Sequence, residues 1–157
     1  MGRILKNMLR ERIPTLKQFF KSYFKSRHES AKTKFCHSLA AYSLVTYFLQ
    51  VKDRHNDNIL LHRDGYIVHI DFGFFLSNAP GKGIELEKNC PFKLMSNYVE
   101  VLGGVNSLQF MEFRSLFEKG FRACLKYKDE IITLVKMMYS SHGESMPCFQ
   151  KGSVGIE

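Results

Sequence analysis

Gln50 to Gly73 reads QVKDRHNDNILLHRDGYIVHIDFG, and the reading of this stretch decides the fold. Ile59-Leu60-Leu61 is a short apolar run, Asp64-Gly65 a turn pair, and Tyr66 to Ile70 a second run, so a β-hairpin is predicted. A hairpin brings its two ends together. Asn58 leads into the first strand and Asp71 follows the second, so both are expected to face one point. An amide oxygen beside a carboxylate is a hard-oxygen pair suited to Mg2+. Asp53-Arg54-His55 opens the unit, with Asp53 five residues before Asn58, and Asp71-Phe72-Gly73 closes it.

Asp-Arg-His-x-x-Asn followed by Asp-Phe-Gly resembles the catalytic and metal-binding motifs of the phosphatidylinositol 3- and 4-kinase family and the related large protein kinases. Phe92-Lys93-Leu94, the run Val99-Glu100-Val101-Leu102-Gly103-Gly104 and Met146-Pro147-Cys148-Phe149 look most like phosphatidylinositol 4-kinases of the type III beta branch. The likeness extends from Leu16 to Phe149. A second tripeptide, His62-Arg63-Asp64, spells the protein-kinase catalytic-loop motif, but its context is wrong. The position five after Asp64 is His69 instead of Asn, and the residues between Asp64 and Asp71 leave no room for a catalytic loop and two strands. His62 to Gly65 therefore reads as the hairpin turn.

The resemblance implies an α+β, mostly α fold: the C-terminal lobe of a bilobal protein-kinase-like lipid kinase, with a small hairpin carrying the metal-binding motifs. Residues 1–29 then form a basic helical segment, 30–50 a central helix, 51–73 the catalytic loop and Asp-Phe-Gly, 74–92 the activation loop, and 93–149 a helical region. Residues 1–50 hold one glycine, Gly2, and no strand-loop-strand unit that would grip phosphate. The nucleotide-covering lobe is thus expected to be absent, and the chain to be a fragment, inactive alone.

Composition agrees with a packed domain: 157 residues, 45% hydrophobic, 14 Phe. Phe35 to Leu49 is too short and too interrupted by His37, Ser38, Ser43 and Thr46 to span a bilayer, and no signal peptide opens the sequence. The four cysteines are scattered without a C-x-x-C pair, which reads as reduced thiols of a cytosolic protein. His55, His62 and His69 recur every seven residues but have no carboxylate or Cys at ligand spacing, so zinc is not expected. The net charge of +8 lies wholly in residues 1–37, where ten Lys/Arg face Glu11 and Glu29; the remaining residues carry thirteen charges of each sign.

Along the chain, Met1 to Arg12 has a basic helical rhythm broken at Pro14. Thr15 reads as an N-cap, and Leu16, Phe19, Phe20, Tyr23 and Phe24 form an aromatic stripe. That stripe is expected to pack into the lobe with Lys17, Lys21 and Lys25 solvated; the alternative is a helix lying on anionic membrane. Ser30 to Gln50 is predicted helical, with Phe35, Leu39, Tyr42, Leu44, Val45, Phe48 and Leu49 as its apolar face. A helix over Lys93–Leu102 stops at Gly103-Gly104; a second runs Leu108–Leu125 with Gly120 at a close approach; a third is capped by Asp129 and packs through Ile131, Ile132, Val135 and Met138.

The resemblance assigns Asn58 and Asp71 to Mg2+ (Mn2+ being acceptable) on ATP, and Asp53 and His55 to catalysis. Asp53 and His55 are the candidates to take the inositol hydroxyl proton, and the resemblance points at His55; in the alternative Asp53 orients the hydroxyl and His55 steadies the transferring phosphate. Arg54, Phe72 and Gly73 are expected to give structural support, Phe72 by packing and so orienting Asp71. Lys82 and Lys88 of the activation loop are balanced by Glu85 and Glu87, which suits unphosphorylated phosphatidylinositol. Implied partners are ATP, membrane phosphatidylinositol and the missing lobe, with no nucleic acid. The implied location is cytoplasmic, peripheral on Golgi-like endomembranes. The competing classes are a phosphatidylinositol 3-kinase or related protein kinase, and a non-catalytic lipid-binding fragment.

Overall fold

The computed structural model describes residues 15–76 and 90–142. Thr15 accepts the Gln18 N–H on Oγ1 at 3.2 Å and so starts α1, Leu16–Phe24. A 3-10 turn, Lys25–Arg27, leads into α2, His28–Phe48. A second 3-10 turn, Asn56–Asn58, precedes β1, Ile59–Leu61, which pairs antiparallel with β2, Ile67–His69. Three helices follow: α3, Ser96–Leu102; α4, Leu108–Lys126; and α5, Lys128–His142. Among the described residues the fold is mostly helical with one two-stranded sheet, the C-lobe arrangement expected.

The core joins α1, α2, α3 and the hairpin. Leu16, Phe19, Phe20 and Phe24 of α1 are buried with Phe35 and Leu39 of α2, Ile59 and Ile67 of the strands, and Tyr98, Val101 and Leu102 of α3. Phe35 sits at its centre, edge-on to Phe20 at 5.2 Å and to Tyr98 at 5.5 Å. Aromatic pairs in this geometry contribute beyond their buried area. The α1 stripe is therefore spent inside the protein, with its lysines outside, and only Tyr23 of the stripe is exposed.

The register pairs Ile59 with His69 and Leu61 with Ile67, and Gly65 N–H donates to His62 O at 2.9 Å across the turn. Gly65 has φ +103, and a Cβ there would lie 2.5 Å from the Ala31 carbonyl oxygen, so the turn is pressed against α2. Ile67 N–H donates to Ser38 Oγ at 3.0 Å, a second pin onto the same helix. Gly103, at φ +100, ends α3 as read from sequence.

Three expectations change. The α2 helix buries Ser43 and Thr46, while Val45 and Phe48 of the predicted apolar face stay exposed. Thr46 turns its hydroxyl back to Tyr42 O at 2.8 Å, which removes the cost of burying it. Phe48 instead stacks on Phe121 of α4 at 5.3 Å, beside the close approach of Gly120 to Leu44. Asp129 lies in the first turn of α5 instead of capping it, since the helix begins at Lys128. Ile131, Ile132 and Met138 of α5 are exposed, as are Leu134 and Met137, because α5 leaves the core after Tyr127. The predicted helix at Met1–Arg12, Lys82 and Lys88, and the Met146–Phe149 run lie outside the described residues.

Candidate phosphoryl-transfer site at the open end of the hairpin

The end of α2 delivers the chain to the Asp53–Asn58 segment under tight backbone control. Val51 N–H donates to Thr46 O at 3.1 Å, Lys52 N–H to Phe74 O at 2.9 Å, and Leu76 N–H to Leu49 O at 2.7 Å. The segment after Asp71-Phe72-Gly73 is thus laced to the segment before Asp53. This pairing had no signal in the sequence, because main-chain groups are the same at every residue. Ile70 N–H also donates to Asn58 O at 2.9 Å, which carries the ladder one step past β2. Asp71 follows directly, so Asn58 and Asp71 share the open end of the hairpin.

Asp53, His55 and Asn58 form one cluster. Asn58 is 5% exposed, and its Nδ2 donates to Asp53 O at 2.8 Å and lies 3.1 Å from His55 Nε2. Its Oδ1 is the end left to meet a cation. His55 Nδ1 accepts the Asp57 N–H at 3.2 Å, which leaves Nε2 facing the site, 3.6 Å from Asp53 Oδ2. The Asp71 side chain is exposed, and its Oδ1 accepts the Gly73 N–H at 3.2 Å. A Cβ at Gly73 would come within 3.3 Å of that oxygen, so glycine keeps this small turn open. Asp53 and Asp71 both adopt left-handed backbone, φ +61 and +57. Strain of this kind gathers at functional sites.

Arg54 lies beneath the cluster, 2% exposed. Its guanidinium donates to Lys52 O at 2.9 Å, to Ile70 O at 2.9 Å and to Asp71 O. Phe72 departs from expectation. It is exposed, with the Arg54 guanidinium 5.6 Å from its ring centroid, because the left-handed turn at Asp71 carries the chain out of the strand. His69 is a site neighbour that the sequence reading passed over as a plain strand residue. It is buried, stacked on Tyr42 at 4.3 Å, with no partner at Nδ1; burial first, and the Arg54 charge second, lower it to about 4. Its place two residues from Ile67, on the inward face of β2, was the available signal.

Residues 5–147 match the model of the family described as phosphatidylinositol 3- and 4-kinase. The chain belongs to this family. It is 48% identical over 147 residues to a phosphatidylinositol 4-kinase of Dictyostelium discoideum, covering 91% of this chain and 12% of that protein. Against phosphatidylinositol 4-kinase pik1 of Schizosaccharomyces pombe the identity is 44% over 145 residues, 89% of this chain and 16% of the relative. Against phosphatidylinositol 4-kinase beta of Rattus norvegicus it is 42% over 132 residues, 84% and 16%. The chain thus spans about one sixth or less of the relatives it matches. Among the described residues, no helix is long and apolar enough to cross a membrane.

The donors at the open end fit the metal that the family's chemistry calls for. Mg2+ takes oxygen ligands, keeps several waters, and is commonly held by one or two protein groups plus substrate phosphates. An amide oxygen at Asn58 and a carboxylate at Asp71 are that kind of set. Among the described residues no cluster of three or more His, Cys, Asp and Glu is placed to hold a metal by itself.

Proposed function

We propose that this segment is the catalytic-loop half of a phosphatidylinositol 4-kinase, which moves the γ-phosphoryl group of ATP to the 4-hydroxyl of phosphatidylinositol. The observation that carries this reading is the Asp53–His55–Asn58 cluster at the hairpin end that also presents Asp71, in a chain 42–48% identical to phosphatidylinositol 4-kinases.

Phosphoryl transfer needs positioning and charge neutralisation more than covalent chemistry from the protein. Asn58 Oδ1 and Asp71 would hold Mg2+ on the nucleotide phosphates, and the metal would neutralise charge that develops there. Asp53 and His55 form a carboxylate–imidazole pair at the acceptor side. One of the two takes the hydroxyl proton while the other orients the reacting groups. With Nδ1 accepting the Asp57 N–H, the neutral His55 ring carries its proton on Nε2, which favours Asp53 on the hydroxyl and His55 Nε2–H steadying the transferring phosphate. The neutral activation loop, with Lys82 and Lys88 offset by Glu85 and Glu87, suits a headgroup that carries a single phosphodiester charge. Such an enzyme works from the cytoplasm on a membrane surface. Such an enzyme also needs a phosphate-covering lobe, which other residues of a longer polypeptide would supply.

The test grafts residues 15–142 into the matching position of the Schizosaccharomyces pombe relative. Labelled ATP is then supplied with phosphatidylinositol, phosphatidylinositol 4-phosphate or a generic protein, and the products are resolved by thin-layer chromatography and headgroup analysis. Phosphatidylinositol 4-phosphate from the first substrate supports the reading. Label on protein alone, or at hydroxyl 3, overturns it, and a folded but inactive graft points to a non-catalytic fragment.

A further inference from the structure

We propose that Arg54 is the positioning residue of this site: its guanidinium holds Asp71 in left-handed backbone and so fixes where the Asp71 carboxylate presents a metal. The inference rests on the metal role given to Asp71 above. It starts from a conflict of geometry. In an extended strand, successive carbonyls point to opposite sides, so one side chain cannot bind two in a row. Yet Arg54 Nη1 bonds Ile70 O at 2.9 Å while Nη2 bonds Asp71 O. The chain must turn between these two carbonyls, and φ +57 at Asp71 is that turn. The fork and the left-handed residue are one feature.

The same logic repeats on the other side of the guanidinium. Nε bonds Lys52 O at 2.9 Å, folding the loop back around Asp53, which has φ +61. Non-glycine residues enter this region against steric cost, and they remain there only where their surroundings hold them. One buried fork therefore fixes the backbone around both acidic residues. Phe72, with its ring over the guanidinium, covers the outer side. Releasing the fork lets Asp71 relax toward extended backbone, which swings its carboxylate away from Asn58.

Lysine separates charge from geometry here. It keeps the positive charge but has no planar fork to reach two consecutive carbonyls. Hydrogen exchange by mass spectrometry on the 157-residue chain is the first test, comparing wild type with Arg54→Lys and Arg54→Ala. We expect peptides containing Lys52, Ile70 and Gly73 to exchange at least tenfold faster in both variants, with α2 unchanged. Unchanged exchange at these peptides overturns the proposal, and so does equal acceleration throughout α2, which would make Arg54 a general prop of the fold. The second test uses the yeast graft and titrates Mg2+ at fixed ATP. The expected result for Arg54→Lys is at least a tenfold rise in the Mg2+ needed for half-maximal rate, with KM for phosphatidylinositol within twofold. A fall in kcat with unchanged Mg2+ dependence overturns the positioning role. Because exchange is read on the chain itself, an inactive wild-type graft would sink the function proposed above while exchange still decides the clamp.

Discussion

The two ends of the hairpin carry the same three residue types in opposite order, Asp53-Arg54-His55 at the open end and His62-Arg63-Asp64 at the turn. The local resemblance goes further than sequence. Each histidine accepts, on Nδ1, the N–H of the aspartate two residues on, at 3.2 Å in both cases. Each also has an aspartate carboxylate nearby, at 3.6 Å for His55 and 3.5 Å for His62. What separates the ends is the environment of the arginine. Arg54 is buried and spends its donors on main-chain carbonyls, whereas Arg63 is exposed. At the open end an amide, Asn58, sits against the histidine with its Nδ2 3.1 Å from Nε2; at the turn, Asp64 meets His62 itself and, at 3.7 Å, the exposed Arg27. A histidine–aspartate pair becomes a site when the backbone beneath it is held and a second strand brings a further ligand.

This contrast can be broken most sharply at Asp71. Asp71→Asn in the active graft should lower turnover by about 10³-fold, since it removes a charge that works only on metal and phosphate. The melting temperature should hardly move: the side chain is exposed and Asn accepts left-handed backbone at least as well. Near-normal turnover would remove Asp71 from the metal site.

Next comes the matched pair of histidines. His55→Ala should cost about 10²–10⁴-fold in kcat, the usual range for a group positioned at the transferring proton or phosphate. His62→Ala should stay within about twofold. Equal losses would mean that the tripeptide at the turn had been wrongly set aside.

The turn has a structural duty, and Gly65→Ala probes it. The added methyl would meet the Ala31 backbone and force alanine to φ +103, so a loss of about 1–3 kcal/mol is expected in a denaturant melt. A stability equal to wild type would show that the turn is not pressed onto α2. The smallest effect belongs to Asp64→Asn, within about 0.5 kcal/mol of wild type and with unchanged turnover, because its Arg27 contact is long and exposed.

Much of this was readable from the chain. Asp64-Gly65 between apolar runs gave the hairpin, Thr15 the start of α1, Gly103 the end of α3, and Gly120 a close contact, because each depends on one residue's own chemistry. The buried face of α2 was not readable. Helical spacing ranks Val45 and Phe48 above Ser43 and Thr46, but which side is covered depends on where α4 and the hairpin lie. The motif named Asp53, His55, Asn58 and Asp71, and the structure places them at one end of the hairpin. It could not show how they are held. The groups that hold them are carbonyls of Lys52, Ile70 and Asp71, and a carbonyl leaves no mark in a sequence.

Cys36 lies on α2 with its thiol against Gln109 O of α4 at 3.4 Å, wholly buried and pushed up to about 12, chiefly by that burial. At pH 8 only on the order of 10⁻⁴ of such a thiol is thiolate, the form that alkylating reagents consume. Cys90 and Cys124 are partly exposed and free. In a Cys148→Ser chain, a maleimide should therefore label those two promptly and Cys36 only when α2 and α4 part. The slow phase of labelling becomes a clock for the separation of the two longest described helices, read at a cysteine the sequence already carries.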